Sequence, residues 1–279
     1  LKKVNYIFAY NVERIRYFWT MQFDFYKYQG TGNDFVLMDN RDLSFPKEYN
    51  ALVKHICDRR FGIGADGLML LENENDVDFK MVYYNADGNQ SSMCGNGGRC
   101  ISAFAKKLGI VNDKGTFVAI DGNHEFTIEE DVVKLRMIDV TEIKSENNDY
   151  ILQTGSPHYV SFRNEIDQID IVTEARKIRY NETYAKEGIN INFVEIKNDK
   201  VYMRTYERGV EDETLSCGTG TVAVALCVAE KNKIETGKIE ILTPGGNLAV
   251  SFTNEESTFT NVWLQGAAKL VFEGTINID

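Results

Sequence analysis

The sequence predicts an α+β protein built from two copies of one unit, and three observations carry that prediction. Strand-like runs outnumber helix-like ones and do not alternate regularly with them, which argues against a doubly wound sheet. Cys-Gly-polar-Gly is written twice, as CGNG from Cys94 and as CGTG from Cys217. The shift of 123 residues that superposes these motifs also lays Thr31-Gly32 on Thr154-Gly155, Tyr83 on Tyr206 and Gly122 on Gly245. The two units then span about 21–143 and 144–266, followed by a short tail.

The elements follow in order. Residues 1–20 begin with Lys-Lys and a VNYIFAY run that faintly resembles a signal peptide. Asn5, Asn11, Glu13, Arg14 and Arg16 break the run, and no small-residue cleavage site follows, so this stretch is read as an upstream extension with the start at Met21. FDFYKY, DFVLMD, GLMLLE and FKMVYY are the strands expected in the first unit, and YVSF, INFVEI and VYMRTY those in the second, by alternation or β-branched content. KEYNALVKHICDR sets Tyr49, Leu52, Val53 and Ile56 on one helical face, and DQIDIVTEARKIR takes a similar place later. A second helix follows each cysteine motif. Ile101, Phe104, Ala105 and Leu108 mark a one-sided helix in the first unit. TVAVALCVA in the second is apolar all round, as a helix buried on every side must be.

Composition narrows the function. The 279 residues are 43% hydrophobic and 26% charged with only three prolines, enough for a sizeable core. A net charge of −11 argues against nucleic-acid or anionic-membrane partners, which reward clustered Lys and Arg. No run outside the first twenty residues is long and apolar enough to span a bilayer. The five cysteines, Cys57, Cys94, Cys100, Cys217 and Cys227, include no CxxC pair, which points to free thiols in a reducing compartment. Three scattered histidines and no Cys/His cluster give no metal site. Neither GxGxxG within a dinucleotide-type βαβ unit nor GK[ST] occurs, so no phosphate loop is read.

Cys94 and Cys217 each stand where a strand-loop turns into a helix. Glycine there permits positive φ and close approach of a ligand. The unpaired N–H groups of a helix's first turn, with the dipole behind them, bind anions and lower a thiol's pKa from about 8.5. Two such ends facing one another would hold a carboxylate between two thiols. Inversion of a carbon stereocentre through a carbanion needs that arrangement, with a thiolate on one face and a thiol on the other. Their titrations would be coupled, and rate would fall at both pH extremes. Cys57, Cys100 and Cys227 read as small buried hydrophobes. The alternative for Cys94 and Cys217 is the same, or a disulfide formed on oxidation.

The motifs GTGNDFV (30–36), RRFGIGADGL (59–68), YNADGNQSSMCGNGGRC (84–100), GSPHYV (155–160), YERGVEDETLSCGTGT (206–221) and PGG (244–246) resemble those of the diaminopimelate epimerases. The likeness runs from about Met21 onward. It implies interconversion of LL- and meso-diaminopimelate in lysine and peptidoglycan precursor biosynthesis, without cofactor or metal, by a cytoplasmic homodimer. It implies Cys94 and Cys217 as acid/base thiols, with His158 and Glu207 setting their protonation. Gly95, Asn96, Gly218 and Thr219 would hold the carboxylate. Asn33, Asn85, Asn190, Ser156, Glu207 and Arg208 would complete the substrate site. Without the resemblance, His158 reads equally as a structural histidine, Glu207 and Arg208 as surface charges, and Asn85 as turn chemistry. Ser156 replaces an asparagine of many members, and Gly67 a glutamine of some, which bears on distal contacts. The implied fold is two similar domains, 21–143 with 267–279 and 144–266, each a curved sheet or open barrel around a central helix, with the site in the cleft between them.

Two rival readings stay open. One is a related amino-acid racemase acting on proline, hydroxyproline or histidine; a single-headed substrate would leave Arg208 and the asparagines unpaired, at about 1–3 kcal/mol for each buried orphan. The other is a non-catalytic amino-acid-binding thiol sensor.

Overall fold

The computed structural model describes residues 21–91, 93–146 and 148–278. The expected extension at 1–20 lies outside the described residues. The first half runs β1 (Met21–Gly30), β2 (Asn33–Asp39), α1 (Asn50–Cys57), β3 (Gly67–Glu72), β4 (Phe79–Asn85), α2 (Gly95–Lys107), β5 (Lys114–Ala119), β6 (Gly122–Glu129) and β7 (Val132–Arg136). The second runs β8 (Ile143–Glu146), β9 (Asp149–Gln153), β10 (Pro157–Phe162), α3 (Ile171–Arg179), β11 (Asn190–Lys197), β12 (Lys200–Glu207), β13 (Asp212–Thr214), α4 (Gly218–Asn232), β14 (Thr236–Thr243), β15 (Gly246–Glu255) and β16 (Thr258–Ala267). β17 (Lys269–Ile278) closes the described chain. The class is α+β.

Pairing repeats between the halves. β2 and β3 are parallel across α1, as β10 and β11 are across α3. β4 and β5 are parallel across α2, as β12 and β14 are across α4. Antiparallel hairpins β3–β4 and β11–β12 fill the gaps. β7 of the first half pairs antiparallel with β16 of the second, and β17 returns to pair with β1 from Met21 to Gln29. The repeat is not perfectly in step. Gly122 opens β6 and Gly246 opens β15, both at positive φ, so the counterpart of Gly122 is Gly246, one residue beyond the predicted Gly245.

Period-two alternation sorts the first sheet's side chains. Phe35, Leu37, Met69, Leu71, Met81 and Tyr83 face α2, in a core shared with α4. Val36, Met38, Leu68, Leu70, Val82 and Tyr84 face α1. Both faces are covered, which is why β3 is buried at every position. α4 is buried along eleven of its residues, from Gly218 to Ala229, as its apolar circumference requires. Leu52, Val53 and Ile56 form the buried face of α1, but Tyr49 precedes the helix at its N-cap and is 65% exposed. Similarly, Leu108 caps α2 rather than continuing it.

Candidate active site

Cys94 and Cys217 are the N-cap residues of α2 and α4, both extended (φ −100°, ψ 132° and φ −125°, ψ 118°). The first helical bonds run from Gly98 N to Cys94 O (2.7 Å) and from Thr221 N to Cys217 O (2.8 Å). The preceding N–H groups of each helix therefore stay outside its ladder. The two helix ends meet at Gly95 and Gly218. A Cβ on Gly95 would lie 3.4 Å from Gly218 Cα, and one on Gly218 3.2 Å from Gly95 Cα. Leu264 of β16 packs 3.0 Å from both positions. None of the glycines at 95, 97, 218 or 220 has positive φ. Their role is close approach, and the positive-φ expectation for the motif is corrected on that point.

Two hydrogen-bond networks flank the junction. On the first side, Cys94 Sγ donates to Asn33 Oδ1 (3.5 Å), and Asn96 Nδ2 approaches the same oxygen at 3.4 Å. Asn33 is oriented by its Nδ2, which donates to Asp66 Oδ2 at 2.6 Å. Arg59 pairs with both Asp66 and Asp34, while Lys27 pairs with Asp34 and donates to Gly64 O. Asn96 Nδ2 also donates to Ser216 Oγ (3.0 Å), crossing to the residue before Cys217.

On the second side the bonds fix a tautomer. Thr205 donates to Asn192 Oδ1 (2.9 Å), and Asn192 Nδ2 donates to Tyr159 O and to His158 Nδ1, both at 3.1 Å. The nitrogen that accepts from an amide is the unprotonated one. The shorter amide contact, at Nδ1, places the hydrogen of neutral His158 on Nε2, which donates to Thr219 Oγ1 at 2.9 Å, while Asn190 Nδ2, 3.4 Å from the same Nε2, donates to Ser156 instead. The Thr219 hydroxyl lies 3.5 Å from Cys217 Sγ, where it can accept from the thiol or donate to the thiolate. Asn190 Nδ2 donates to Ser156 Oγ (2.9 Å), and Asn190 Oδ1 accepts from Arg208 N (2.8 Å). Arg208 is exposed, with Nη1 donating to Glu187 O (3.0 Å).

Burial sets the electrostatics. His158 is fully buried, and its pKa falls to about 3, with Arg208 adding repulsion. Burial pushes the Cys94 thiol up, against the N–H groups of Gly97 and Asn96. It pushes the Cys217 thiol up as well, with Glu207 reinforcing the shift. Burial also raises Glu207. The expected lowering of both thiols by the helix ends is thus reversed: loss of solvent outweighs the dipoles.

Of the expected residues, Cys94, Cys217, His158, Glu207, Asn33, Gly95, Asn96, Ser156, Asn190, Arg208, Gly218 and Thr219 are linked by these contacts and fields. Asn85 is not. It ends β4, its backbone makes turn bonds to Gly88 and Asn89, and its side chain is exposed. At Gly67 a Cβ would lie 2.5 Å from the Tyr83 ring and from Tyr84 O, so no side chain fits there. Asn192, Thr205, Asp66, Ser216 and Arg99 were missed by the sequence reading. A signal existed for Asn192: NINF puts Asn190 and Asn192 on one face of an otherwise apolar strand. A surface cavity of about 520 Å³, lined by residues including Phe23, Met38, Arg41 and Phe45, contains none of the site residues.

Solved structures share the whole architecture. A Bacillus anthracis phenazine biosynthesis protein of the PhzF family superposes with a TM-score of 0.73 at 14% identity, over 92% of this chain and 100% of that one. A hydroxyproline epimerase from Agrobacterium vitis gives 0.65 at 13% identity, over 92% and 93%. The fold is thus one used by epimerases among others. The diaminopimelate epimerase family model matches residues 25–142 and 150–271. Diaminopimelate epimerases from Flavobacterium psychrophilum and Chlorobaculum tepidum are 56% and 40% identical, over 90% and 89% of this chain and 99% of each relative. The chain belongs to the diaminopimelate epimerase family, and it is an isomerase.

Proposed function

We propose that the protein interconverts LL- and meso-diaminopimelate by proton transfer between Cys94 and Cys217 across one α-carbon. The observation that carries the reading is the junction itself: two helix N-termini touching at paired glycines, each capped by a cysteine. One sulphur, as thiolate, takes the α-proton, and an S–H bond forms as the C–H pair passes into the carboxylate-stabilised carbanion. The other thiol gives its proton to the opposite face and becomes the thiolate. Backbone N–H groups of Gly95, Asn96, Gly218 and Thr219 receive the carboxylate as charge builds on it. A substrate ammonium group entering the cleft offsets Glu207, whose charge adds to burial in raising both thiols. His158 acts on Cys217 through Thr219. Asn33, Asn85, Ser156, Asn190 and Arg208 hold the distal amino-acid head, and Tyr83, beside the space of Gly67, lines the same region.

No cofactor takes part in this scheme. The two domains are 21–143 with 267–279 and 144–266. The lysine and peptidoglycan precursor role and cytoplasmic location follow from the family. A homodimer is supported by β17, which among the described strands pairs only with β1 and exposes Leu270, Val271 and Phe272.

Incubation with LL-diaminopimelate in heavy water, without added cofactor, tests the reading. Deuterium is expected at the α-carbon, and Cys94→Ala or Cys217→Ala should lower epimerisation by at least about 100-fold. Epimerisation that survives either change rejects the two-thiol scheme, and turnover of proline or histidine in place of diaminopimelate rejects the substrate.

A further inference from the structure

Arg99 is fully buried in α2, and among the described residues no carboxylate pairs with it. Its Nη2 donates to Thr31 Oγ1 (2.6 Å) and Asn96 Oδ1 (3.0 Å), and its Nη1 to Gly95 O (3.4 Å). All three acceptors are neutral, and Nε has no hydrogen-bond partner among the described residues. Glycines make the slot. A Cβ on Gly266 would come within 3.1 Å of Nε, and one on Gly30 within 3.4 Å of Nη2. The guanidinium folds back toward the start of its own helix, so a full positive charge lies beside the positive end of the dipole. A buried cation demands a compensating anion. Its acceptors Gly95 and Asn96 directly follow Cys94, and the field of Arg99 reaches Cys94. Under the shift of 123 residues the second copy has Val222 at this position, also fully buried. The two thiols therefore sit in matched backbone settings with unmatched charge.

We propose that Arg99 is a charge-positioning residue that makes Cys94 the more readily ionised thiol of the pair. This rests on the two-thiol reading and adds to it a built-in direction: Cys94 gives up its proton first and then takes the α-proton, while Cys217 keeps its proton and donates it. The other titratable groups facing this region bring no charge that favours one thiol: His158, on the Cys217 side behind Thr219, is neutral. Glu207 of β12 opposes ionisation of both cysteines. Cys100, beside Arg99 on α2, is pushed up to about 12 by burial. Tyr83 of β4 and Tyr28 of β1 are raised by burial too and stay neutral. Burial raises both thiols, and Arg99 is among the causes that lower Cys94 but not among those acting on Cys217.

The test is the pH dependence of iodoacetamide alkylation in the ligand-free protein, resolved by mass analysis of the Cys94 and Cys217 peptides. Midpoints are compared, since rates also follow access. In the unmodified protein the Cys94 midpoint is expected below that of Cys217 by at least one pH unit, about a tenfold difference in thiolate fraction. Arg99→Gln and Arg99→Met should raise the Cys94 midpoint, whereas Arg99→Lys should largely keep it. A lower midpoint at Cys217 in the unmodified protein overturns the proposal without any variant. So does an unchanged Cys94 midpoint in Arg99→Gln with native circular dichroism. If the heavy-water experiment succeeds and this one fails, only the role of Arg99 falls.

Discussion

His158 and Asn192 show what one buried hydrogen-bond chain decides. The unfolded-state pKa of histidine is about 6.5, and burial brings His158 down to about 3. Between those values the unfolded chain binds the extra proton, so the stability due to neutral His158 is present above about pH 6.5 and is lost as pH falls toward 3. Urea midpoints measured over that window should decline less steeply in His158→Gln than in the unmodified protein. Equal slopes would mean that His158 charges freely in the folded state. Asn192→Asp should move the ring hydrogen to Nδ1, because a carboxylate only accepts. Nitrogen NMR of the imidazole should then report the other tautomer, and epimerisation should fall by about tenfold or more because the Thr219 link to Cys217 is broken. A retained Nε2–H tautomer would refute the chain of bonds. The two cysteines were legible in the sequence because glycine context and repetition marked them. Asn192 was not read because its partners come from separate strands: β11 carries it, β12 brings Thr205 and β10 brings Tyr159 and His158.

At the scale of elements, the site is a meeting of two helix ends, and its tolerance is set by backbone. Gly218→Ala would place a methyl 3.2 Å from Gly95 Cα and 3.0 Å from Leu264 Cδ2. Leu264 can turn aside, but the Gly95 backbone cannot without moving α2. A loss of about 1–3 kcal/mol in stability is expected, with a larger proportional loss of turnover. Gly237→Ala, whose Cβ would meet only Ile234 at 3.6 Å, should change neither. Equal behaviour of the two variants in denaturant titration and assay would show that the helix junction is not tight. Helix α2 was readable from its apolar periodicity, α4 from being apolar all round, and the strands buried on both faces from their apolar runs. The later strands of each half were not singled out. β5 to β7 and β14 to β16 mix charged, polar and apolar residues, and their partial burial follows from pairing with distant strands.

On the scale of the whole molecule, the halves are joined by β7–β16, by the helix ends and by β17 on β1. Phe25, nearly buried, packs edge-on against Phe272 of β17 at 5.8 Å between ring centres. Deleting residues 269–278 should uncover Phe23 and Phe25 and abolish a single cooperative melt, with new binding of a hydrophobic dye. An unaltered melting curve would show that β1 is held adequately by β2 alone. The return of β17 also bears on how the protein is made. Thr275 bonds to Asp24 across 251 residues of sequence. The opening half therefore waits, with one sheet edge unfinished, until the whole second half and β17 behind it have emerged from the ribosome. Emerging chains ordinarily fold front to back; here the front is completed last.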